Sequence, residues 1–413
     1  MGEYILFAIP FFLLMVGLEM WYAWKHRKPF YRLNDTISNL AIGVGSEATG
    51  LFFKLILFGS YIYVHDHFAF FAIPATWWSF ILVLLLYDFC FYWAHRMLHV
   101  VNIFWGAHVV HHSSEEYNLS VALRQSWFES VLAFFIFLPI PLLGFDPLVF
   151  LPAAGLDSLY QFWIHTQTVN KMPAWYEKIF NTPSHHRVHH ARNPKYIDRN
   201  YAGIFIVWDK LFGSFQKEEE QPVFGITTPL NSWNPVWANV HYYKLLFGKM
   251  RLISSPLKKI RLLFSKPGWM PEENGGPLSV PDVSNNTVIK YDAKNNVWMH
   301  TYVIAQFILI VGGLMAYMYS FEELSLFYKY SIFGILMLAI VICGGILEKK
   351  NWVIPMEYLK LTLLLLTLNS YYYFYALDWF FVTLTVSSVL FIFFNIWFTF
   401  TWKYSFRQQT SSL

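Results

Sequence analysis

Long apolar runs constrain this chain more than any other feature. Stretches near 4–23, 42–64, 76–94, 300–318, 329–347, 356–375 and 379–400 each supply about the 20 residues a helix needs to cross a hydrocarbon layer. Another stretch, 128–164, is apolar throughout but is interrupted by Pro139, Pro141, Gly144 and Pro147. Such residues break helices, so it reads as a hairpin of two helices, spanning or re-entrant. The pattern predicts an all-α, polytopic membrane bundle of about nine apolar helices, since helices satisfy their own backbone groups in lipid. Hydrophobic residues make up 56% and charged residues 14% of the chain, which excludes the soluble multidomain protein that 413 residues would otherwise suggest. The first run lacks a preceding basic stretch and a small-residue cleavage site, so it is expected to be a retained helix.

Charge placement orients the runs. Lys25, Arg27, Lys28 and Arg32 follow the first, Lys349 and Lys350 the run 329–347, and Lys403 and Arg407 the last, while the 165–265 loop carries many more. Loops 65–75, 140–147, 319–328 and 376–378 carry no Lys or Arg. The positive-inside rule then predicts nine crossings, with the N-terminus outside, the C-terminus in the cytosol and the histidine-rich loops on the cytosolic face. A bacterial inner membrane or the endoplasmic reticulum fits that arrangement. A net charge of +4 gives no reason to expect a nucleic-acid partner. Cys90 and Cys343 lie inside apolar runs and read as small buried hydrophobes. Composition divides the chain into a catalytic membrane and cytosolic part (1–265), a linker rich in Pro, Gly, Asn and Asp (266–297), and a four-helix C-terminal membrane part (298–413). Asn118-Leu-Ser120 and Asn285-Asn-Thr287 match the glycosylation pattern, but both fall on the predicted cytosolic side and are discounted.

Ten of the fifteen histidines fall between 95 and 190. Most of them form three runs, His95-Arg-Met-Leu-His99, His108-Val-Val-His111-His112 and His185-His186-Arg-Val-His189-His190, and His165 stands alone between the second and the third. Neutral imidazole is the usual protein ligand for divalent transition metals. His95 and His99 are four apart and share a helix face. In the H-x-x-H-H runs the last two histidines diverge, so one can serve one metal and its neighbour another. Eight imidazoles exceed the needs of one ion, which makes two ions the economical inference. Spacing alone leaves iron, zinc, copper and nickel open, but a redox role at the lipid–cytosol boundary favours two iron ions. The expected ligands are His95, His99, His108, His111, His112, His186, His189 and His190, with His165 as a ninth and His185 as support. His26, His241 and His300 read as interfacial anchors, and His65 and His67 as lying on the opposite side.

Asp88, two turns before His95, is positioned to accept an imidazole N–H. Tyr117, Asn118 and Arg124, with Glu115, Glu116 and Gln125, follow the second run and are candidates to orient ligands or substrate. Asp157 sits inside an apolar helix, where a carboxylate requires a partner.

In this order the three runs resemble the signature of the fatty acid hydroxylase and sterol desaturase superfamily of membrane di-iron enzymes. The flanks Ser113-Ser-Glu-Glu-Tyr-Asn-Leu-Ser120, Ala122-Leu-Arg-Gln-Ser126, Asn181-Thr-Pro-Ser184, Asn200-Tyr-Ala-Gly203 and Trp208-Asp-Lys-Leu-Phe-Gly213 are similar to its ether-cleaving subgroup, over roughly residues 1–245. The resemblance implies a lipid substrate drawn from the bilayer. One O2 oxygen atom is inserted at the carbon beside the ether oxygen of an alkylglycerol, giving a fatty aldehyde and a glycerol derivative, with tetrahydrobiopterin as reductant. The subgroup carries Glu directly after its second histidine, where this chain has Val100. Two other readings use the same residues. A sterol-type or fatty-acyl hydroxylase or desaturase would need an electron-donor protein, and a divalent-metal transporter would place its ligands near mid-membrane. The last four helices carry no histidine after His300, so scaffold or homodimer contact is expected of them.

Overall fold

The structure, a computed structural model, describes residues 2–284 and 288–410, with side chains from 8 to 404. Asn285-Asn-Thr287, the second glycosylation pattern, lies outside the described residues. The architecture is all-α, with no strand among the described residues. The membrane part opens with α1 (Gly2–Lys25), α2 (Leu33–Phe68) and α3 (Trp77–Val100). Next come α4 (Asn102–His112), the single turn α5 (Leu119–Ala122), and the hairpin α6 (Glu129–Phe137), α7 (Pro139–Leu143) and α8 (Pro147–Ile164). A polar cap follows with α9 (Ala174–Ile179), α10 (Pro183–His189), α11 (Val207–Leu211), α12 (Pro235–Leu252) and α13 (Pro256–Phe264). Four helices close the chain: α14 (Val297–Ser320), α15 (Leu326–Leu347), α16 (Val353–Tyr375) and α17 (Leu377–Thr410).

Helices α2, α3, α14, α15 and α17 are long and apolar enough to cross a membrane, which makes this a multi-pass membrane protein. Nine crossings were expected. The hairpin helices are shorter than the five, and α16 carries Glu357 and Lys360 in its first turns.

The hairpin turns at Gly144, whose φ of 91° suits glycine; a Cβ there would meet the Phe71 carbonyl oxygen at 1.7 Å. Asp146 caps α8 through the Leu148 amide, with Pro147 in the first turn.

At 36 residues, about 54 Å long, α2 is the hub. Tyr61 near its far end packs with Val83, Cys90, Ile140 and Val149 of α3 and the hairpin. Its Ile37, Ala41, Val44 and Ala48 pack into a core shared with α14, α15 and Phe398 of α17. The C-terminal helices therefore share an interior with the part that carries the histidines. They also bury their own polar cluster. Lys360 Nζ is 2.8 Å from both Glu357 Oε1 and Gln306 Oε1, and Tyr302 OH also donates to Glu357.

The first turns of α2 bury Asn34, Asp35, Ser38 and Asn39, which bond to the linker and to the segment 114–124. The end of the polar linker returns to this place. Lys290 Nζ lies 2.7 Å from Glu116 Oε2, the Tyr291 amide donates to Glu115 Oε2 at 2.7 Å, and Asn34 Nδ2 donates to Asp292. Glu115 and Glu116 are thus buried ion-pair partners of Arg32 and Lys290.

Candidate metal centre

Three pieces of helix carry the histidines inward. The C-terminal end of α3 presents His95 and His99 on one face, and α4 presents His108 and His112 one turn apart, with His111 turned aside. The seven residues of α10 would be a marginal helix alone. Thr182 caps it, Pro183 starts it, and Arg187 locks it in place with two hydrogen bonds to Glu218, at 2.8 and 2.7 Å, and one to the Val169 carbonyl at 2.8 Å. His165 ends α8.

These pieces gather nine imidazoles into two groups. His95, His99, His108, His112 and His189 form one; His111, His165, His186 and His190 form the other; within each group the ligand-capable atoms lie within 4.8 Å of one another. All nine residues are buried. Chain neighbours divide between the groups, 111 from 112 and 189 from 190, because adjacent helical residues point about 100° apart. The groups adjoin, with the His112 and His190 rings stacked 4.3 Å apart.

The acceptors on the outer ring nitrogens fix the tautomers. His95 Nδ1 lies 2.8 Å from the Tyr201 carbonyl, His111 Nδ1 3.1 Å from that of Arg124, His165 Nδ1 2.6 Å from that of Gln161, and His189 Nδ1 3.0 Å from that of Arg199. His108 Nδ1 lies 3.0 Å from Glu129 Oε2. A carbonyl or carboxylate oxygen only accepts, so each Nδ1 carries the hydrogen and each Nε2 turns a lone pair inward. These Nε2 atoms crowd together. His95 and His108 are separated by 2.9 Å, His108 and His112 by 3.2 Å, and His165 stands 3.1 Å from each of His111, His186 and His190. Bare lone pairs so close repel. Nitrogens about 2.1 Å from a common ion sit about 3.0–3.4 Å apart at right or tetrahedral angles. The buried Nε2 atoms of His99 and His189 have no hydrogen-bond partner. The sulfur-free, imidazole-rich donor sets fit iron or another nitrogen-binding divalent metal.

Burial also holds these histidines neutral, the form that binds metal. Desolvation pushes His165 down to about 4, and desolvation followed by His108 pushes His189 down to about 3. His111, His112, His186 and His190 are likewise held well below the ordinary imidazole value, by burial first and neighbouring imidazoles second.

The other sequence candidates lie around the centre. Asp88 does not reach an imidazole. Its oxygens are taken by the Ile204 and Phe205 amides and by Trp208 Nε1 at 2.8 Å, so it pins the loop behind His95. Asp157 lies beside it, donated to by Gln161, and a Cβ on Gly203 would meet the Oδ1 atoms of both aspartates at 2.6 and 2.7 Å. Arg124 is fully buried and donates to Val110 O at 2.7 Å, Ser113 Oγ at 2.7 Å and Asn39 Oδ1 at 3.0 Å; it braces the end of α4 while its own carbonyl receives His111. Asn118 caps α5 and ties it to Phe30. Tyr117 comes nearest the site: its ring stacks 5.8 Å from that of His165, and its hydroxyl donates to the Ile164 carbonyl at 2.9 Å. His185 belongs to neither group and packs on Phe215.

Sequence reasoning missed Glu129 and the segment 198–201. A carboxylate starting an otherwise apolar helix was the available signal for Glu129. In the segment, Asp198 Oδ1 stands 3.8 Å from His99 Nδ1, while Arg199 and Tyr201 present their carbonyls to His189 and His95. Asp198 and Asn200 have φ of 57° and 56°, a strained left-handed backbone. Asp209 clamps the segment by accepting the Tyr201 and Ala202 amides, both at 2.8 Å.

The fatty acid hydroxylase family matches residues 80–214, an interval that holds all nine histidines. The chain is 38% identical over 317 residues to alkylglycerol monooxygenase of Homo sapiens, covering 75% of this chain and 70% of that protein. It is 34% identical over 380 residues to alkylglycerol monooxygenase of Xenopus tropicalis, covering 90% and 83%. The enzyme of that name from Danio rerio is 34% identical over 372 residues, covering 88% and 82%. No solved structure matches.

Proposed function

The chain belongs to the alkylglycerol monooxygenase family, and from that premise we propose that it oxidises the ether-adjacent carbon of alkylglycerols with O2, giving a fatty aldehyde and a glycerol derivative. The observation that carries the reading is the pair of buried imidazole groups with their Nε2 lone pairs turned inward. His95, His99, His108, His112 and His189 would hold one iron, and His111, His165, His186 and His190 a second. When bound, iron supplies the electron transfer and O2 activation that side chains cannot. The reductant proposed is tetrahydrobiopterin, and the basic loops around the site support a cytosolic face for it.

The chain's own residues prepare the site for this chemistry. The backbone carbonyls of Tyr201, Arg199, Arg124 and Gln161 fix ring orientation, and Glu129 does so for His108. Burial of all nine rings keeps bulk water away from the reacting carbon. The C-terminal end of α3 brings His95 and His99 to the edge of the membrane, where an alkyl chain can approach from lipid with its glycerol head toward the cap. After oxidation the ether carbon is a hemiacetal, and transfer of its hydroxyl proton with loss of the glycerol oxygen releases the aldehyde.

The test is metal analysis of protein purified with iron supplied, followed by incubation with an alkylglycerol, O2 and tetrahydrobiopterin. Two irons per chain with release of fatty aldehyde is the expected result. Two irons with an oxidised lipid that retains its full carbon skeleton would replace ether cleavage by ordinary hydroxylation or desaturation. Protein that binds no transition metal under any loading would overturn the proposal.

A further inference from the structure

Helix α13 is amphipathic in the opposite sense to a helix of a soluble cap. Leu262 is fully buried against Leu246, Ile253 and Met270. The other side bears Leu257, Ile260 and Phe264, exposed by 78%, 55% and 62%. At 100° per residue these three lie within about 60° of one another and roughly opposite Leu262. A helix already seated on the protein through Leu262, with Leu263 packed beside it, gains nothing in water from three large apolar residues aligned outward.

Its charges and its height say what that stripe meets. Lys258, Lys259 and Arg261 flank the stripe, and Lys249 and Arg251 stand in the last turn of α12. Within this group Lys258 is ion-paired, to Glu273, but both partners are about half exposed, where such a pair is weak and screened. Asn102, two residues past the end of the span α3, fixes the level. Its Nδ2 donates to the Leu262 carbonyl at 3.0 Å, its amide donates to the Ser265 carbonyl at 2.9 Å, and Tyr242 OH donates to its Oδ1. So α13 is tied to the point where α3 leaves the hydrocarbon.

We propose that α13 is an interfacial helix lying in the bilayer surface, with Leu257, Ile260 and Phe264 among the upper acyl chains and Lys258, Lys259 and Arg261 on the phosphates of anionic lipids. Apolar insertion flanked by basic residues is the chemistry by which amphipathic helices bind such surfaces, the long basic side chains reaching up to the headgroups. The same helix steadies the start of α4, which carries His108, His111 and His112, so the lipid surface and the histidine centre share one support. The inference needs the chain to be in a membrane but needs neither the metal nor the reaction.

The full chain would be placed in nanodiscs of phosphatidylcholine, with or without phosphatidylglycerol. Phe264→Cys, and separately Leu257→Cys, would carry a bimane label, Cys90 and Cys343 being buried. Quenching by acyl chains brominated near the headgroup, with none by aqueous iodide, is expected at both positions. Lys258→Gln/Lys259→Gln/Arg261→Gln should lower the preference for phosphatidylglycerol over phosphatidylcholine among co-purified lipids by about tenfold or more. Quenching by iodide would overturn the proposal by showing a face open to water. Protection from both quenchers would overturn it by showing a protein partner or second copy on the stripe. An unchanged lipid preference in the triple variant would overturn the anionic-lipid assignment.

Discussion

The two histidine groups differ in what stands behind them. In the five-histidine group the outer nitrogens face Glu129, Asp198 and the carbonyls of Arg199 and Tyr201, of which the last three supports come from one strained segment. In the four-histidine group the supports of His111 and His165 are the neutral carbonyls of Arg124, in the loop after α5, and of Gln161, within α8. A carboxylate behind an imidazole raises its basicity and strengthens it as a ligand, whereas a carbonyl mainly fixes its orientation. The first group therefore gains binding strength from charge and depends on a loop. The second depends on Gln161 inside α8 and on the loop residue Arg124, which is braced against the end of α4.

That difference can be broken most directly by deleting a ligand on each side. His189→Ala is expected to lower iron from two per chain to about one and to abolish turnover, and His186→Ala to do the same from the other group. Metal analysis decides it. Loss of both irons from either variant would show the groups to be one coupled site. Next in size is the strained segment. Asn200 holds a φ of 56° while its side chain bonds the His185 carbonyl at 3.0 Å and both Gln216 backbone groups at 2.8 Å. Asn200→Ala should cost about 2–4 kcal/mol. Its iron loss should come first from the five-histidine group, seen as an early step in a chelator titration. Equal loss from both groups would remove the asymmetry.

Charge is tested by Glu129→Gln, which can still accept from His108 but is neutral. Iron in the five-histidine group should bind about tenfold more weakly, with the other group unchanged. Burial itself is tested by the effect of pH on the metal-free protein. The pKa values of His165 and His189 are depressed to about 4 and about 3, so below the unfolded value near 6.5 the unfolded chain binds more protons than the folded one. Stability is then fully present above about pH 6.5 and declines as pH falls through that range towards 4 and 3. A thermal midpoint in detergent that stays level from pH 7 to 5 would contradict this.

The membrane class and the histidine faces were legible because both are written in local periodicity. Runs of about 20 apolar residues identify helices, and a spacing of four places His95 with His99, His108 with His112 and His186 with His190 on shared faces whatever the helices later pack against. Even His165, a lone histidine at the end of an apolar hairpin, was visible as a polar residue at a costly depth. The neighbouring polar residues were not legible in the same way. Asp88 lies on the helix face of His95 yet bonds the loop at 204–208, and Arg124 follows the second run yet braces α4.

Sequence alone thus determined an all-α membrane protein with a histidine-rich centre, since helix formation and the direction of a side chain from its helix are settled within a few residues. Only the tertiary structure decided how the histidines divide five and four, that Glu129 stands behind His108, and that residues 198–201 support His95, His99 and His189. Those pairings join residues as much as a hundred positions apart. Each partner is chosen by how loops close over helices, and by the need of every buried ring N–H for an acceptor, neither of which any local spacing records.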